Sequence, residues 1–413
     1  MYIKRKIEGT ILKYLPEKEI IALVGPRQCG KTTLLRHIYE TVKEEAVFIT
    51  FEDIETLALF EKDINSFIAV YGKYKYVFID EFQYAHNGGK LLKFWYDTNP
   101  TKIIVSGSSI IDLTVKAIKF LVGRVFVFEL YPLDFEEFLR FKNSDLINLY
   151  LENKINLNSP DLGVKTLSVS PLIANYLKNL YEEFVIFGGY PQVVLQKGEA
   201  EKKNILLQLY NTFFLREVKD ILGIIDDFKL AKLIQATALQ IGNLVQYREL
   251  CSISELSDYK VKQSLNFLAK TFICLPVRPF FTNRRSQIVK NPKIFFYDTG
   301  LRNHAVDDFR PLDKRTDSGA LLENAVASQL IKLQRPYSFW RTKEKQEVDF
   351  VVELPEQKKV ALEVKQTLKP GAGQEKSAKE FRRQYPQIPL WHIYLKMNSA
   401  NNEMQNSFPV YLL

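Results

Sequence analysis

The stretch EIIALVGPRQCGKTTLLRHIYE, residues 19–40, decides the fold. Ile20 to Val24 reads as a strand, the next residues as a loop, and a helix begins at about Lys31. The loop matches G-x-x-x-x-G-K-[ST] through Gly25, Gly30, Lys31 and Thr32. In such a loop the glycines let backbone N–H groups wrap phosphates, and the lysine reaches the β and γ oxygens. The threonine hydroxyl turns to Mg²⁺, and the helix N-terminus adds its positive end. Pro26, Arg27, Gln28, Cys29 and Thr33 complete the set of candidate nucleotide contacts. A chance glycine-rich turn is the weaker reading, because strand and helix fall where the chemistry requires them.

Working outward, KYKYVFIDEFQ (73–83) carries a second buried strand, Tyr76 to Ile79, ending in Asp80 and Glu81. An acid at the carboxyl end of such a strand lies beside the loop, where Asp80 holds the Mg²⁺ shell. Glu81 then stands where a general base polarises the attacking water. KIIVSGSS (102–109) repeats the pattern: a strand from Ile103 to Val105, then Ser106 to Ser109 as a polar tip that senses the γ-phosphate. Solvated acids at a strand end are the bland alternative for Asp80 and Glu81.

With GPRQCGKTT, FIDEFQ, SGSS, LVGR (121–124) and YPLDFEEFL (131–139), residues 1–140 resemble the AAA-type P-loop ATPases found ahead of a C-terminal domain of unknown function in bacteria and archaea. The resemblance implies a P-loop NTPase domain with a parallel sheet, ATP and Mg²⁺. In related ATPases an arginine at the Arg124 position completes a neighbouring subunit's site, so oligomerisation is an expectation. Whether Arg124 works in trans, in cis, or only ties down its strand stays open on the sequence. Cys29 replaces a small aliphatic residue, which would make the loop sensitive to oxidation. Fold and nucleotide together say little about the task performed.

At 413 residues the chain is long for one core, and two or three domains are expected. Apolar content of 46% and charged content of 25% are ordinary for a folded protein. The start, MYIKRKIEGTILKYL, lacks the apolar core of a signal peptide, and no apolar run suits a membrane span, so no membrane partner is expected. Three scattered cysteines without metal-ligand spacing point to a reducing, cytoplasmic setting. The net charge of +9 is uneven: Lys260 to Tyr297 holds eight basic residues and no acid, which suggests a polyanion partner.

Residues 141–180 read as a polar linker or insertion, and 181–310 as a helical and winged-helix module. Gly188 and Gly189 in EFVIFGGYPQVVLQ suggest a tight turn. Further on, a short helix (Gln246 to Ser252), a helix from Ser257 to Lys270 and two strands give the order of a winged helix. Lys260 and Lys262 on the helix, with Arg284, Arg285 and Lys290 in and after the wing, are the candidate contacts to DNA. A protein–protein spacer is the alternative.

The rear, 311–413, sets a helix bearing Glu323 (SGALLENAVASQLIKL) before YSFWRTKEKQEVDFVVE and VALEVKQT. Burying unpaired carboxylates is costly, so Asp349 and Glu363 inside apolar strands call for a reason. Neighbouring antiparallel strands can bring these two together as a hard oxygen site for Mg²⁺ or Mn²⁺. Lys365, sharing a face with Glu363, can orient water or neutralise a cleaved phosphodiester. Acid on a helix followed by D…ExK resembles the PD-(D/E)xK nucleases, which implies an α/β restriction-endonuclease-like domain with Glu323, Asp349, Glu363 and Lys365 in catalytic positions. A surface ion pair is the alternative for ExK alone. The combined expectation is an ATP-hydrolysing protein that acts on DNA through a metal-dependent nuclease-like rear. The alternative is a nucleotide-controlled DNA- or protein-binding switch that does not cut.

Overall fold

The computed structural model describes residues 2–107, 120–158, 162, 170–211, 227–280, 290–368, 375–397 and 406–413. The chain divides into two compact units. The first holds residues 1–133 with the short segments 190–192 and 266–273, and the second holds the rest. The middle and rear modules expected separately therefore share one unit. No helix among the described residues is long and apolar enough to cross a membrane.

Five strands build the first unit: β1 (Ile20–Val24), β2 (Ala46–Thr50), β3 (Tyr76–Asp80), β4 (Lys102–Gly107) and β5 (Val125–Glu129). They pair in the order β2-β3-β4-β1-β5, every pair parallel. β1, β3 and β4 are buried along their whole length, which is why they read as unbroken apolar runs rather than alternating ones. The helix Lys31–Val42 follows β1 and seats Leu34, Leu35 and Ile38 on Ile21, Leu23 and Phe78. Because β4 lies between β1 and β3, Ser106 at its end stands between the loop leaving β1 and Asp80 at the end of β3.

In the second unit the segment expected as a linker is partly helical. Ile147–Asn153 forms a helix, and Tyr150 is fully buried with its ring 6.0 Å from that of Phe135. Apolar side chains three apart, Ile147 and Tyr150, give that helix a face to bury. A second helix, Pro171–Phe187, starts inside the same segment, with Ser170 accepting from Ile173 N at its N-cap.

The turn after that helix is a close approach. Gly188 has φ +78° and ψ −170°, and a Cβ there would meet Asp298 Oδ1 at 2.2 Å. Gly189 N donates to Asp298 Oδ2 at 2.8 Å and Leu301 N to Oδ1 at 3.0 Å, so one buried carboxylate ties the turn to the helix Thr299–Ala305.

Next come helices Asp227–Leu239, Tyr247–Ser254 and Asp258–Lys270, then β6 (Cys274–Val277) and β7 (Lys293–Phe296), paired antiparallel. A bridge from Leu244 to Lys293 adds a third extended segment beside β7. Ser257 Oγ accepts from Lys260 N at the start of the last helix.

The rear sheet is mixed. The helix Ser318–Lys332 precedes β8 (Tyr337–Arg341), β9 (Glu347–Glu353) and β10 (Lys359–Leu368). The helix Lys376–Gln384 then leads to β11 (Leu390–Met397) and β12 (Ser407–Pro409). The order is β12-β11-β10-β9-β8, with β8, β9 and β10 antiparallel and β10, β11 and β12 parallel.

Candidate functional site

In the front unit the phosphate loop is preformed. Gly30 adopts φ +100° just before the helix, a conformation that an L side chain resists. A Cβ on Gly25 would lie 2.0 Å from Leu130 O, so that position has no room for a side chain. Lys31 is buried, and its Nζ donates to the loop carbonyls of Gly25 (3.0 Å) and Pro26 (2.8 Å). The ammonium is thus held on the loop's own carbonyls. Thr32 is half-buried and Thr33 exposed, as are Arg27 and Gln28 respectively. Gln28 adopts φ +57°.

Asp80 is buried and accepts from Ser106 Oγ, while Glu81 N donates weakly to Ser106 Oγ at 3.4 Å. Glu81 itself has φ +54°, a left-handed conformation unusual for a side-chain-bearing residue and common where function over-determines the backbone. Its carboxylate accepts from Gln83 Nε2. Loop, acid pair and serine therefore meet at the carboxyl edge of the sheet, and the donors fit a nucleoside triphosphate with Mg²⁺.

One expectation changes. Cys29 is fully buried, with Sγ 3.3 Å from Leu130 O, and burial pushes its thiol pKa up. A protonated, inaccessible thiol resists oxidation, so the loop is not redox-sensitive through it. Arg124 precedes β5 where Ile20 opens β1, at the end of the sheet away from the phosphate loop. A five-residue strand spans roughly 15 Å, which sets the Arg124 backbone well away from its own loop. Arg124 instead pairs with Asp97 at 2.9 Å.

A residue missed on the sequence is Arg5. Its guanidinium is buried and donates to Cys29 O (2.8 Å) and Tyr131 O (2.6 Å), clamping the loop from behind. Within the run KRK, nothing local in the sequence marks Arg5 as buried.

In the rear unit, Phe350 pairs with Leu362 and Val351 with Ala361, and continuing that register sets Asp349 opposite Glu363. Asp349 is buried, and its Oδ2 accepts from Val364 N at 2.7 Å. Glu363 Oε1 accepts from Lys365 Nζ at 3.0 Å, and the same ammonium reaches Glu375 Oε2 at 3.0 Å. Glu323 faces the group from its helix. All four residues expected on the sequence are thereby brought together.

Three more side chains join them. Lys293, counted on the sequence in the basic run that suggests a polyanion partner, is instead fully buried on β7 and ion-paired with Glu347 and, at 3.5 Å, with Glu323. Glu347, two residues before Asp349 on β9, also accepts from Arg341 at 2.7 Å. A lysine at the head of KIFF and an acid two before Asp349 were the available signals, since residues two apart in a strand share a face.

The electrostatics follow from crowding. Burial, then the charge of Asp349, pushes the Glu323 carboxyl up to about 8. Burial and Asp349 raise Glu363 as well, and burial raises Asp349. Burial pulls the ammoniums of Lys293 and Lys365 down, but the facing carboxylates more than offset it. Glu363 Oε2 is buried and accepts no hydrogen bond from the described residues, and Glu323 Oε2 has only the 3.5 Å ion pair to Lys293. Five carboxyl groups face Lys293, Lys365 and Arg341, and this crowding favours the neutral forms of Glu323, Asp349 and Glu363 until a cation enters. These crowded hard oxygens fit a divalent ion of the Mg²⁺ or Mn²⁺ kind, which commonly takes one or two carboxylates and keeps its waters. Among the described residues no three acids, histidines or cysteines form a ready-made metal cage.

Of the nucleic-acid candidates, Lys262 is ion-paired with Asp258 at 2.7 Å, and Lys290 is exposed beside a cleft. Lys260 stands near the start of its helix, its N–H bonded to Ser257. Arg284 and Arg285 lie outside the described residues.

Three family models match along the chain: an AAA domain over residues 17–139, a domain of unknown function (DUF8612) over 178–312, and another (DUF4143) over 318–412. An uncharacterised protein of Methanocaldococcus jannaschii is 25% identical, covering 97% of this chain and 86% of its own. An uncharacterised protein of Haemophilus influenzae is 26% identical, covering 80% and 79%. Among solved structures, the Thermotoga maritima RuvB Holliday junction branch migration motor aligns over 66% of this chain and 89% of its own. Its identity is 16% and its TM-score 0.29, too low to carry an argument. The front of the chain is an AAA-type P-loop ATPase domain, followed by two domains of unknown function.

Proposed function

We propose that the protein hydrolyses ATP at the front site and uses that cycle to control metal-dependent cleavage of DNA by the rear unit. The observation that carries the rear half is the meeting of Glu323, Asp349, Glu363 and Lys365. They come from three elements and are linked through Asp349 and the Val364 amide. The element order helix, β8, β9, β10, helix, β11 supports the nuclease-like reading. The third extended segment at Leu244, beside β6 and β7, supports the winged-helix reading of the middle.

At the front, Lys31 would leave the carbonyls of Gly25 and Pro26 for the β and γ phosphates. Thr32 and Asp80 would hold Mg²⁺, Ser106 would report on the γ-phosphate through Asp80, and Glu81 would take the proton of the attacking water. Arg124 would serve the site of a neighbouring subunit once released from Asp97.

At the rear, Asp349 and Glu363 would hold Mg²⁺ or Mn²⁺, which supplies Lewis-acid polarisation of phosphate and water when bound. The Val364 amide fixes the Asp349 carboxylate. Lys365, held between Glu363 and Glu375, presents positive charge where a scissile phosphate would lie. Glu323 takes or gives a proton at Oε2.

The test incubates the full-length protein with branched, single-stranded and duplex DNA and Mg²⁺ or Mn²⁺, with and without ATP, beside Asp349→Ala. Asp349-dependent cleavage supports the proposal, and binding without any cleavage ends it. A second reading, a nucleotide-controlled binding switch that does not cut, is favoured by one observation: the Lys293 ammonium already sits among the acids. Tight, salt-sensitive binding with no Asp349-dependent product would select it.

A further inference from the structure

A cleft of about 540 Å³ opens beside the acid cluster in the second unit. Its walls include two half-buried rings, Phe280 and Tyr385, with centroids 5.3 Å apart and planes at 66°. Its rim carries the exposed ammoniums of Lys290, Lys343 and Lys345, and no carboxylate lines it among the described residues. Arg341, also on the wall, donates to Glu347, which in turn pairs with Lys293 inside the acid cluster. One carboxylate thus joins the cleft wall to the candidate site.

Aromatic walls with a cationic, acid-free rim are the chemistry of a base platform with phosphate contacts. A base in duplex offers only its edges, because both faces are stacked on neighbours, whereas an unpaired base has a free face for Phe280 or Tyr385. A purely apolar ligand would leave three ammoniums without partners, and a free phosphate would leave two rings unused.

We infer that this cleft binds an unpaired nucleotide of single-stranded DNA, with the base against Phe280 and Tyr385 and the flanking phosphates on Lys290, Lys343 and Lys345. The inference rests on the reading of the rear unit as acting on DNA, and it names the form of strand that unit takes. The sequence called Lys290 a nucleic-acid contact, and the cleft gives that lysine neighbours and a reason.

The experiment is fluorescence anisotropy of labelled oligo-dT and of a blunt duplex of equal length with the full-length protein in EDTA. Wild type should bind the single strand more tightly than the duplex. Lys343→Glu with Lys345→Glu, both on the exposed rim, should weaken single-strand binding and flatten log K against log[salt] by roughly 1.4, about 0.7 for each phosphate lost. Tyr385→Leu, which keeps an apolar contact for Phe381 (centroids 5.2 Å from Tyr385), should weaken it by roughly 5- to 150-fold, the range for one lost base stack, with the slope unchanged. Duplex bound as tightly as single strand, no single-strand binding, or an unchanged salt slope in the lysine variant would each overturn the inference. Because the assay contains no divalent ion, its failure leaves Asp349-dependent cleavage standing. Cleft binding without cleavage would instead remove the nuclease reading alone.

Discussion

Lys293 Nζ lies 3.5 Å from Glu323 Oε2, bringing a lysine of the hairpin strand β7 against an acid of the helix that opens the rear module. The lysine is fully buried and its second partner is Glu347, so it is the internal counter-ion of a carboxylate group rather than part of a surface patch. Removing one partner of a buried pair commonly costs about 3–5 kcal/mol, because the other charge stays behind. Lys293→Met should therefore lower the melting temperature in EDTA at neutral pH. Mn²⁺ should raise it again by more than it raises wild type, since the divalent ion takes over the neutralisation. Calorimetry with and without Mn²⁺ checks both. An unchanged melting temperature would mean that the ammonium is not needed there.

Much of this was legible because the residues had local reasons. The glycine spacing of 25–32 and the strand ending in Asp80 state their chemistry within a few positions, and β1, β3 and the helix from Lys31 lie where those patterns put them. The D…ExK pair needed only the hairpin register between β9 and β10. What escaped were contacts made by distance. Lys293 and Arg5 are cations in basic runs, and only tertiary packing buries them against carboxylates and carbonyls. Gly188 read as a turn, because nothing nearby in the sequence reveals that the Asp298 carboxylate occupies the space where its Cβ would go.

Glu81 stands next to the buried Asp80 with its backbone at φ +54°. If it is the base for the attacking water, Glu81→Gln keeps the loop and its nucleotide affinity. ATP turnover should fall by roughly two to four powers of ten, the usual loss of general-base help. Lys31→Ala should instead abolish nucleotide binding. Equilibrium binding of a fluorescent ATP analogue beside steady-state phosphate release separates the two, and near-normal turnover in the glutamine variant would falsify the assigned role.

Arg124, held by Asp97 away from its own phosphate loop, gives a mixing test. Arg124→Ala and Lys31→Ala should each be inactive alone. Combined, the lysine variant lends its arginine to the intact loop of the other, and phosphate release should return to a measurable fraction of wild type. Arginine fingers in related phosphate-transfer sites contribute about 10³- to 10⁵-fold, so even partial recovery is readable. No recovery at any ratio would leave Arg124 as a tie to Asp97 and nothing more.

Gly188 is a test of packing that touches neither site. At φ +78° and ψ −170° only glycine is at ease, and occupying that region with a side chain costs on the order of 1–3 kcal/mol before any clash. The Cβ of Gly188→Ala would in addition press on the Asp298 carboxylate that ties Gly189 to Leu301. The urea midpoint of the second unit should fall while nucleotide binding at the first stays unchanged. An unaltered midpoint would show that the turn relaxes freely.

The carboxyl of Glu323, raised by burial and by Asp349 to about 8, contributes to the pH dependence of the rear unit without metal, alongside the raised carboxyls of Asp349 and Glu363. A carboxyl whose folded pKa lies above its unfolded value of about 4.3 favours the folded state when protonated. Its contribution is complete below that unfolded value, declines as pH rises, and is lost on passing through about 8. In EDTA the wild-type melting temperature should therefore drop between pH 5 and pH 9 by more than that of Glu323→Gln, whose neutral amide cannot ionise. The two proteins should melt alike at pH 5, and the variant should be the more stable at pH 9. Mn²⁺ should narrow the gap at pH 9 by favouring the ionised acids. Parallel curves across the whole range would show that Glu323 is already ionised at its Lys293 contact, and would remove it as a proton donor or acceptor.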